Sequence, residues 1–171
     1  MYYYDMDYTE LYNLLLEYKW KKISKSTKES RMRNGNFRRD NYSVNVGMVR
    51  LYQKGLPIVI GNKMKKNKSA IYNECRRLYP DHEFTGIMIN KNFKCPPHKD
   101  KGNEGPVVII GLGDYVGGEL VADGVEYDIH NNHLIFEANK IEHYVKDFTG
   151  DRFSVVLFKH KRTKNIQNLE G

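Results

Sequence analysis

The sequence predicts an α+β domain in which a helical N-terminal part precedes a β-rich core. Two segments have the apolar spacing of amphipathic helices, and short β-type runs separated by Gly- and Asn-rich turns follow residue 84. Helices followed by closely spaced strands are typical of an α+β domain built on a β-sandwich or barrel. Because the 171 residues contain no repeat and no linker, we expect one domain spanning 1–171. Its helical and basic part is predicted at about 1–82 and its core at about 84–161.

The two predicted helices span 8–22 and 69–79. In both segments apolar residues recur at spacings of three and four, so that they share one helix face. Asp7 and Glu10 resemble a capping box at the start of the first helix. Pro80 stops the second helix, because the residue before a proline disfavours the helical conformation.

Seven strands are predicted in the C-terminal half, at 84–90, 107–111, 118–122, 125–129, 133–138, 141–145 and 153–160. Asp123 and Gly124 join two of them as a tight hairpin. The segment 42–52 is a candidate for a further strand. The polar stretch 21–41 lacks periodicity and is predicted to be a loop or mobile segment.

The net charge of +7 favours polyanionic partners, although a solvated basic surface would give the same count. No apolar run approaches the roughly 20 residues of a membrane helix, and residues 1–10 lack the pattern of a signal peptide. Cys75 and Cys95 form no disulfide framework and are interpreted as a packing residue and a loop thiol. We therefore expect an intracellular protein of the cytoplasm or nucleus. The richness in Lys, Asn, Ile and Tyr suggests an AT-rich genome, such as that of a virus or phage acting in its host cell.

A candidate metal site begins with an HxD motif formed by His98 and Asp100. Alternate residues of an extended segment point the same way, so both side chains can reach one ion. The third ligand must come from a distant strand. His143, in a run that alternates like a strand, is the predicted ligand, with His130 or His133 as alternatives. Two histidines and one carboxylate form the facial triad of non-haem iron(II) sites.

A candidate carboxylate site follows in the run Arg152-Phe153-Ser154. Alternation places Arg152 and Ser154 on one side of the last strand, where a guanidinium fork and a hydroxyl can bind a carboxylate. This is what a 2-oxo acid co-substrate requires, because its keto-acid end chelates the metal and its far carboxylate needs a fixed cation. No second pair of residues for acid–base catalysis is evident. The remaining histidines, His82 and His160, are expected at the surface.

These features, in this order, resemble the Fe(II)/2-oxoglutarate-dependent dioxygenase superfamily over about 84–161. Between the HxD motif and His143 lie the segment Gly117-Gly118-Glu119-Leu120 and an apolar strand ending in Phe136. The resemblance implies a double-stranded β-helix, or jelly roll, with the metal ligands at its mouth. It also implies Fe(II), 2-oxoglutarate and O2 as cofactor and co-substrates, with ascorbate as a candidate reductant.

Within that superfamily, the run 89–106 around the HxD motif resembles the TET/JBP group. That group hydroxylates the methyl carbon of 5-methylcytosine or thymine in nucleic acid, and an asparagine shortly before its HxD motif often helps to hold the co-substrate. Asn90 or Asn92 has this position; we assign Asn90 to 2-oxoglutarate and Asn92 to the pocket. Asn103 and Tyr144 are further candidate pocket residues, although Asn103 could merely turn the chain and Tyr144 could pack within its strand.

Three functions remain open from the sequence. The basic segment 19–39 and the TET/JBP-like run favour a nucleobase in DNA or RNA as substrate. A protein side chain such as proline is the alternative, because small prolyl hydroxylases share the same ordered motifs. A jelly-roll binding module without a metal is the third, which the complete triad and the arginine disfavour.

Overall fold

The computed structural model describes residues 6–21, 38, 40–53, 56–61, 65–161 and 166–168. The described chain forms two helices, α1 (Thr9–Glu17) and α2 (Lys66–Leu78), and ten strands. The strands are β1 (Tyr42–Gln53), β2 (Leu56–Gly61), β3 (Gly86–Lys91), β4 (Val107–Gly117), β5 (Leu120–Ala122), β6 (Val125–Tyr127), β7 (Asn132–Phe136), β8 (His143–Val145), β9 (Phe148–Phe158) and β10 (Ile166–Asn168). Neither helix is long and apolar enough to cross a bilayer.

The strands form two sheets between which the chain passes repeatedly. The large sheet has the order β10-β2-β1-β3-β9-β4-β7 and the small sheet the order β6-β5-β8. All pairs are antiparallel except β10 and β2. A backbone bridge between His98 and His143 adds the HxD segment beside β8. From β3 the chain thus alternates between the sheets, which is the wrapping of a jelly roll. The predicted α+β fold with a jelly-roll core is confirmed.

The large sheet has one core on each face. On one face, the helices pack through residues such as Leu11, Leu15 and Ile71. On the other face, Ile109 of β4 packs against residues of the small sheet such as Leu120. Each large aliphatic side chain that is fully buried stabilises the fold by about 1.5–3 kcal/mol. Because side chains alternate along a strand, β9 contributes to both cores.

The first helix is shorter than predicted, because it ends at Glu17 rather than at residue 22. Tyr18 is extended, with φ −65° and ψ 133°. The turn out of the helix lets the Trp20 ring stack on Phe153 at 5.8 Å and lets its indole N–H donate to the Leu15 carbonyl at 3.3 Å. The second helix ends beside Pro80 as predicted but begins at Lys66, three residues before the predicted start.

The central strands are longer than predicted. Strand β4 continues from 111 to Gly117, and β9 begins at Phe148 instead of at 153. Gly113, which resembles a turn residue in the sequence, lies inside β4 with φ +129°. A Cβ there would lie 2.1 Å from the Asp151 carbonyl oxygen, so the close pairing with β9 requires glycine.

Strands β2 and β10 were not predicted, and they extend the large sheet beyond β1. The candidate strand at 42–52 is confirmed as β1. Of the predicted loop 21–41, residues 22–37 and 39 lie outside the described residues. Cys75 is fully buried between the helices and the sheet, where burial raises the pKa of its thiol to about 12, in agreement with a packing role.

Candidate metal and dicarboxylate site

The structure brings His98, Asp100 and His143 together where the HxD segment runs beside β8. One potential ligand atom from each residue lies within 4.8 Å of the other two. The two histidines exchange backbone hydrogen bonds, His98 N–H to His143 O at 3.1 Å and His143 N–H to His98 O at 3.0 Å. The Asp100 N–H donates to the Ala138 carbonyl at 2.9 Å. Three backbone hydrogen bonds therefore fix the spacing of the three side chains.

The outer ring nitrogen of each histidine is held by the backbone. His98 Nδ1 lies 2.6 Å from the Pro96 carbonyl oxygen, and His143 Nδ1 lies 2.9 Å from that of Ile141. Because a carbonyl only accepts, both Nδ1 atoms carry a proton, and Nε2 is the ring atom of each histidine that is left to bind a metal. This is the arrangement that orients metal-binding imidazoles.

The carboxylate of Asp100 lies between the two Nε2 atoms, 3.2 Å from that of His98 and 3.6 Å from that of His143. Burial raises the pKa of Asp100, but the hydrogen bonds with His143 and His98 outweigh burial and leave it well below its usual range. The same hydrogen bond raises the pKa of His98. The cluster is thus a charged carboxylate flanked by two nitrogen donors, a ligand set suited to iron(II).

The cluster opens onto a cavity of about 670 Å³ between the two sheets. This volume is typical of pockets for small ligands. Most of the wall is apolar and comes from both sheets, including Ile109, Leu120, Phe136, Val145 and Val156. A ligand held there would contact apolar side chains of both sheets.

Arg152 is only 2% exposed and precedes the cavity residue Ser154 by two positions on β9, but it is not itself part of the cavity wall. Its guanidinium lies near the rings of Tyr115 and Phe148, with the central carbon 5.4 and 5.8 Å from the ring centroids. Among the described residues, Arg152 Nε and Nη2 are buried donors without a hydrogen-bond partner. Burial lowers the pKa of Arg152. A buried donor that makes no hydrogen bond costs about 1–3 kcal/mol. An acceptor such as a carboxylate that bonded to Nε and Nη2 would remove this cost, so its binding would be favoured.

The other predicted co-substrate residues face the cavity. Ser154 and Asn90 are register partners on β9 and β3, and both line the cavity wall. The Asn90 Oδ1 accepts a hydrogen bond from the Ser43 hydroxyl at 2.5 Å. Asn103 also lines the cavity, in the turn that follows Asp100. Their roles toward a bound ligand stay predictions.

Asn92 and Tyr144 have different surroundings from the ones predicted, because neither is part of the cavity wall. Asn92 is 1% exposed and has φ +56°. Its Oδ1 accepts from the Arg152 N–H at 2.8 Å, and its own N–H donates to the Arg152 carbonyl at 2.8 Å. Tyr144 alternates on β8 with the cavity residues His143 and Val145, so its side chain points to the opposite face.

The alternative third ligands lie away from the cluster. His133 Nδ1 is 2.7 Å from the hydroxyl of Tyr79, on the helix side of the large sheet. His130 Nε2 is 2.7 Å from the Gly113 carbonyl, and its ring lies against that of Tyr115. Geometry therefore leaves His143 as the histidine that shares a site with the HxD motif.

The expectation that His82 and His160 lie at the surface is wrong. His82 is half-buried, and its ring stacks on Phe84. His160 is 6% exposed, lines the cavity and has Nδ1 2.9 Å from the Thr85 hydroxyl. Alternation along the last strand could have found it, because Ser154 and every second residue after it face the cavity.

Gly118 provides the space that Arg152 occupies. It has φ +69°, and a Cβ at this position would lie 2.8 Å from Arg152 Nε and 2.9 Å from Arg152 Cδ. In the Gly-Gly-Glu-Leu segment, Gly118 therefore leaves room for the Arg152 side chain because it has no side chain of its own.

Replacing Gly118 with alanine is expected to displace the guanidinium and weaken dicarboxylate binding at least about tenfold, the effect of losing about 1.4 kcal/mol. Titration of 2-oxoglutarate by calorimetry measures it. Gly124→Ala is the matched control, because Gly124 has φ +76° but nothing within 4 Å of an added Cβ. Equal losses in the two variants would show that backbone strain, and not the arginine, is responsible.

Comparisons with known proteins agree with this architecture. No protein-family model and no curated protein matches the sequence. Among solved structures, the chain is similar to NgTET1 in complex with 5mC DNA, with a TM-score of 0.56, 14% identity, and coverage of 86% of this chain and 73% of that chain. It is also similar to an oxidoreductase of the 2OG-Fe(II) oxygenase family from Burkholderia pseudomallei, with a TM-score of 0.53, 16% identity and coverage of 90% of both chains. At these identities the similarity shows a shared fold.

Proposed function

We propose that the protein is a non-haem dioxygenase that uses Fe(II) and 2-oxoglutarate to hydroxylate a C–H bond. The observation that carries the proposal is the pairing of two features in one interior. One is the cluster of His98, Asp100 and His143, and the other is the buried guanidinium of Arg152, in which Nε and Nη2 have no hydrogen-bond partner among the described residues. A set of three metal ligands alone is compatible with many reactions. A metal site with a separate carboxylate-binding site is suited to a dicarboxylic 2-oxo acid as co-substrate.

The residues present fit both groups. His98, Asp100 and His143 would hold the metal on one side, which leaves positions for other ligands on the other. Arg152 and Ser154 would bind the far carboxylate of 2-oxoglutarate, and Asn90, the register partner of Ser154 on β3, would contact it as well. When bound, the iron with O2 supplies the power to oxidise an unactivated C–H bond, while 2-oxoglutarate is converted to succinate and carbon dioxide. The chain would orient the reactants, and the apolar cavity wall would limit the access of water to them.

We infer that the substrate is the methyl group of 5-methylcytosine or thymine in nucleic acid. The net charge of +7 and the TET/JBP-like run at 89–106 support this assignment. The cavity has polar groups on β1 and beyond the HxD motif, including Asn45, Asn103 and His160, which could form hydrogen bonds with a base. A base in a duplex would have to leave the stack to enter, whereas a single strand would not.

The function is tested by substrate-dependent succinate formation. Iron-loaded protein is incubated with 2-oxoglutarate and oligonucleotides that contain 5-methylcytosine, thymine or, as the matched control, cytosine and uracil at the same positions. We expect succinate and a hydroxymethyl base, both measured by mass spectrometry, only with the methylated bases. Turnover only with a peptide pool would favour a protein hydroxylase. A binding module would take up oligonucleotide but form no succinate.

A further inference from the structure

A second depression adjoins the cavity on the side of the helices. It has a volume of about 320 Å³ and lies between the residues that follow α1, the start of α2 and strand β1. Ser43 and Asn45 of β1 line both this depression and the cavity. The two spaces therefore share the Ser43 and Asn45 part of β1 as a common wall.

Four lysines line this depression, which we call the lysine groove: Lys19 and Lys21 after α1, and Lys65 and Lys68 at the start of α2. Lys68 is half-buried and the other three are exposed. In the described part of the chain, no salt bridge involves any of the four. Burial, followed by the charges of Lys21 and Lys65, lowers the pKa of Lys68. The groove therefore concentrates positive charge that the described residues do not neutralise, and a polyanion would bind there with release of counterions.

Aromatic residues accompany the lysines. Tyr18 and Trp20 line the groove, and their rings meet edge to face at 4.9 Å. The Trp20 ring stacks on that of Phe153, which holds it in position. Phe153 lies between Arg152 and Ser154 on β9. Lysines interleaved with fixed aromatic rings are typical of surfaces that bind single-stranded nucleic acid.

We propose that the lysine groove binds the phosphate backbone of a single-stranded nucleic acid while one of its nucleotides reaches the cavity past Ser43 and Asn45. The occupant of the cavity rests on the proposed function, but the groove itself rests only on charge, shape and aromatic lining. A single strand is favoured over a duplex because Tyr18 and Trp20 line the groove, and aromatic rings can stack on bases that are unpaired.

The groove is tested by fluorescence anisotropy with iron-free protein and a labelled single-stranded thymine oligonucleotide over a range of salt concentrations. Lys65→Gln with Lys68→Gln is expected to weaken binding about tenfold and to reduce the salt slope by about 0.7 for each phosphate that the variant no longer neutralises. Lys140→Gln with Lys146→Gln is the matched control, because it removes the same charge around β8 of the small sheet. Equal losses of affinity in the two double variants would overturn the groove, as would absence of oligonucleotide binding.

Two further arms complete the test. Lys19→Gln with Lys21→Gln should reproduce the loss of affinity from the other side of the groove, which guards against misfolding of α2 in the first variant. Polyglutamate is the competitor for an anionic peptide, and equal competition by polyglutamate and oligonucleotide would overturn nucleic acid as the occupant. Lysine-dependent binding without any hydroxylation would keep the groove and refute the proposed function. Hydroxylation by the Lys65/Lys68 variant with an unchanged KM for the oligonucleotide would keep the proposed function and refute the groove.

Discussion

Replacing His143 with alanine is expected to abolish metal binding and all turnover. The variant leaves His98 and Asp100 as the only ligands of the cluster, and it removes a side chain that is 5% exposed and held through Nδ1 by the Ile141 carbonyl. Loss of even an outer partner of a metal ligand typically weakens binding 10- to 100-fold, so loss of a ligand should exceed about 100-fold. Anaerobic calorimetry with Fe(II), and absorption spectroscopy with Co(II), would measure it.

His133→Ala is the control for this prediction. His133 bonds to Tyr79 and Tyr8 across the helix side of the sheet, so its loss should cost about 1 kcal/mol of stability and leave metal affinity unchanged. His143→Gln provides a second variant, in which the new side chain fills most of the space that the imidazole occupied. Metal binding that survives in both His143 variants but not in His133→Ala would identify His133 as the third ligand.

Replacing Arg152 with methionine is expected to abolish the response to 2-oxoglutarate and, at the same time, to stabilise the ligand-free protein. Methionine fills a similar volume between Tyr115 and Phe148 without two buried unpaired donors. Because a buried donor without a partner costs about 1–3 kcal/mol, we expect a gain in stability of about 1 kcal/mol or more. Urea denaturation measures the stability, and the shift of Tm with 2-oxoglutarate measures binding.

Arg38→Met is the matched control for Arg152→Met. Arg38 is partly exposed and pairs with Asp40 at 2.6 Å and with Asp151 at 2.9 Å. Its loss should leave the 2-oxoglutarate response intact and give no gain in stability. An Arg152→Met protein that is less stable than the parent and still shifts with 2-oxoglutarate would contradict the assignment of this arginine to the co-substrate.

The sequence predicted those parts of the site that depend on local alternation. Ser154 faces the cavity and Phe153 the helices because a strand imposes a period of two. His143 belongs to the cluster for the same reason, since it and Val145 point inward from β8. A pattern confined to a few residues is sufficient for such predictions.

The parts that the sequence did not predict depend on distant partners. Asn92 bonds to the backbone of Arg152, which is 60 positions away, and nothing in its own neighbourhood indicates this. The early end of α1 depends on the packing of Trp20 against Phe153. The length of β4 is set by its pairing with β9 through Gly113, a residue that locally resembles a turn.

The shared use of β9 has a consequence for how this chain can tolerate insertions and deletions. Phe153 and Val155 pack on the face of the large sheet that the helices cover. Arg152 and Ser154 lie on the opposite face, which is turned toward the small sheet. One residue gained or lost before Arg152 would turn Arg152 and Ser154 toward the helices and the apolar side chains toward the cavity. Length changes in β9 should therefore destroy the core and the site together, whereas the hairpin between β5 and β6, which is exposed, should accept them with little effect on either.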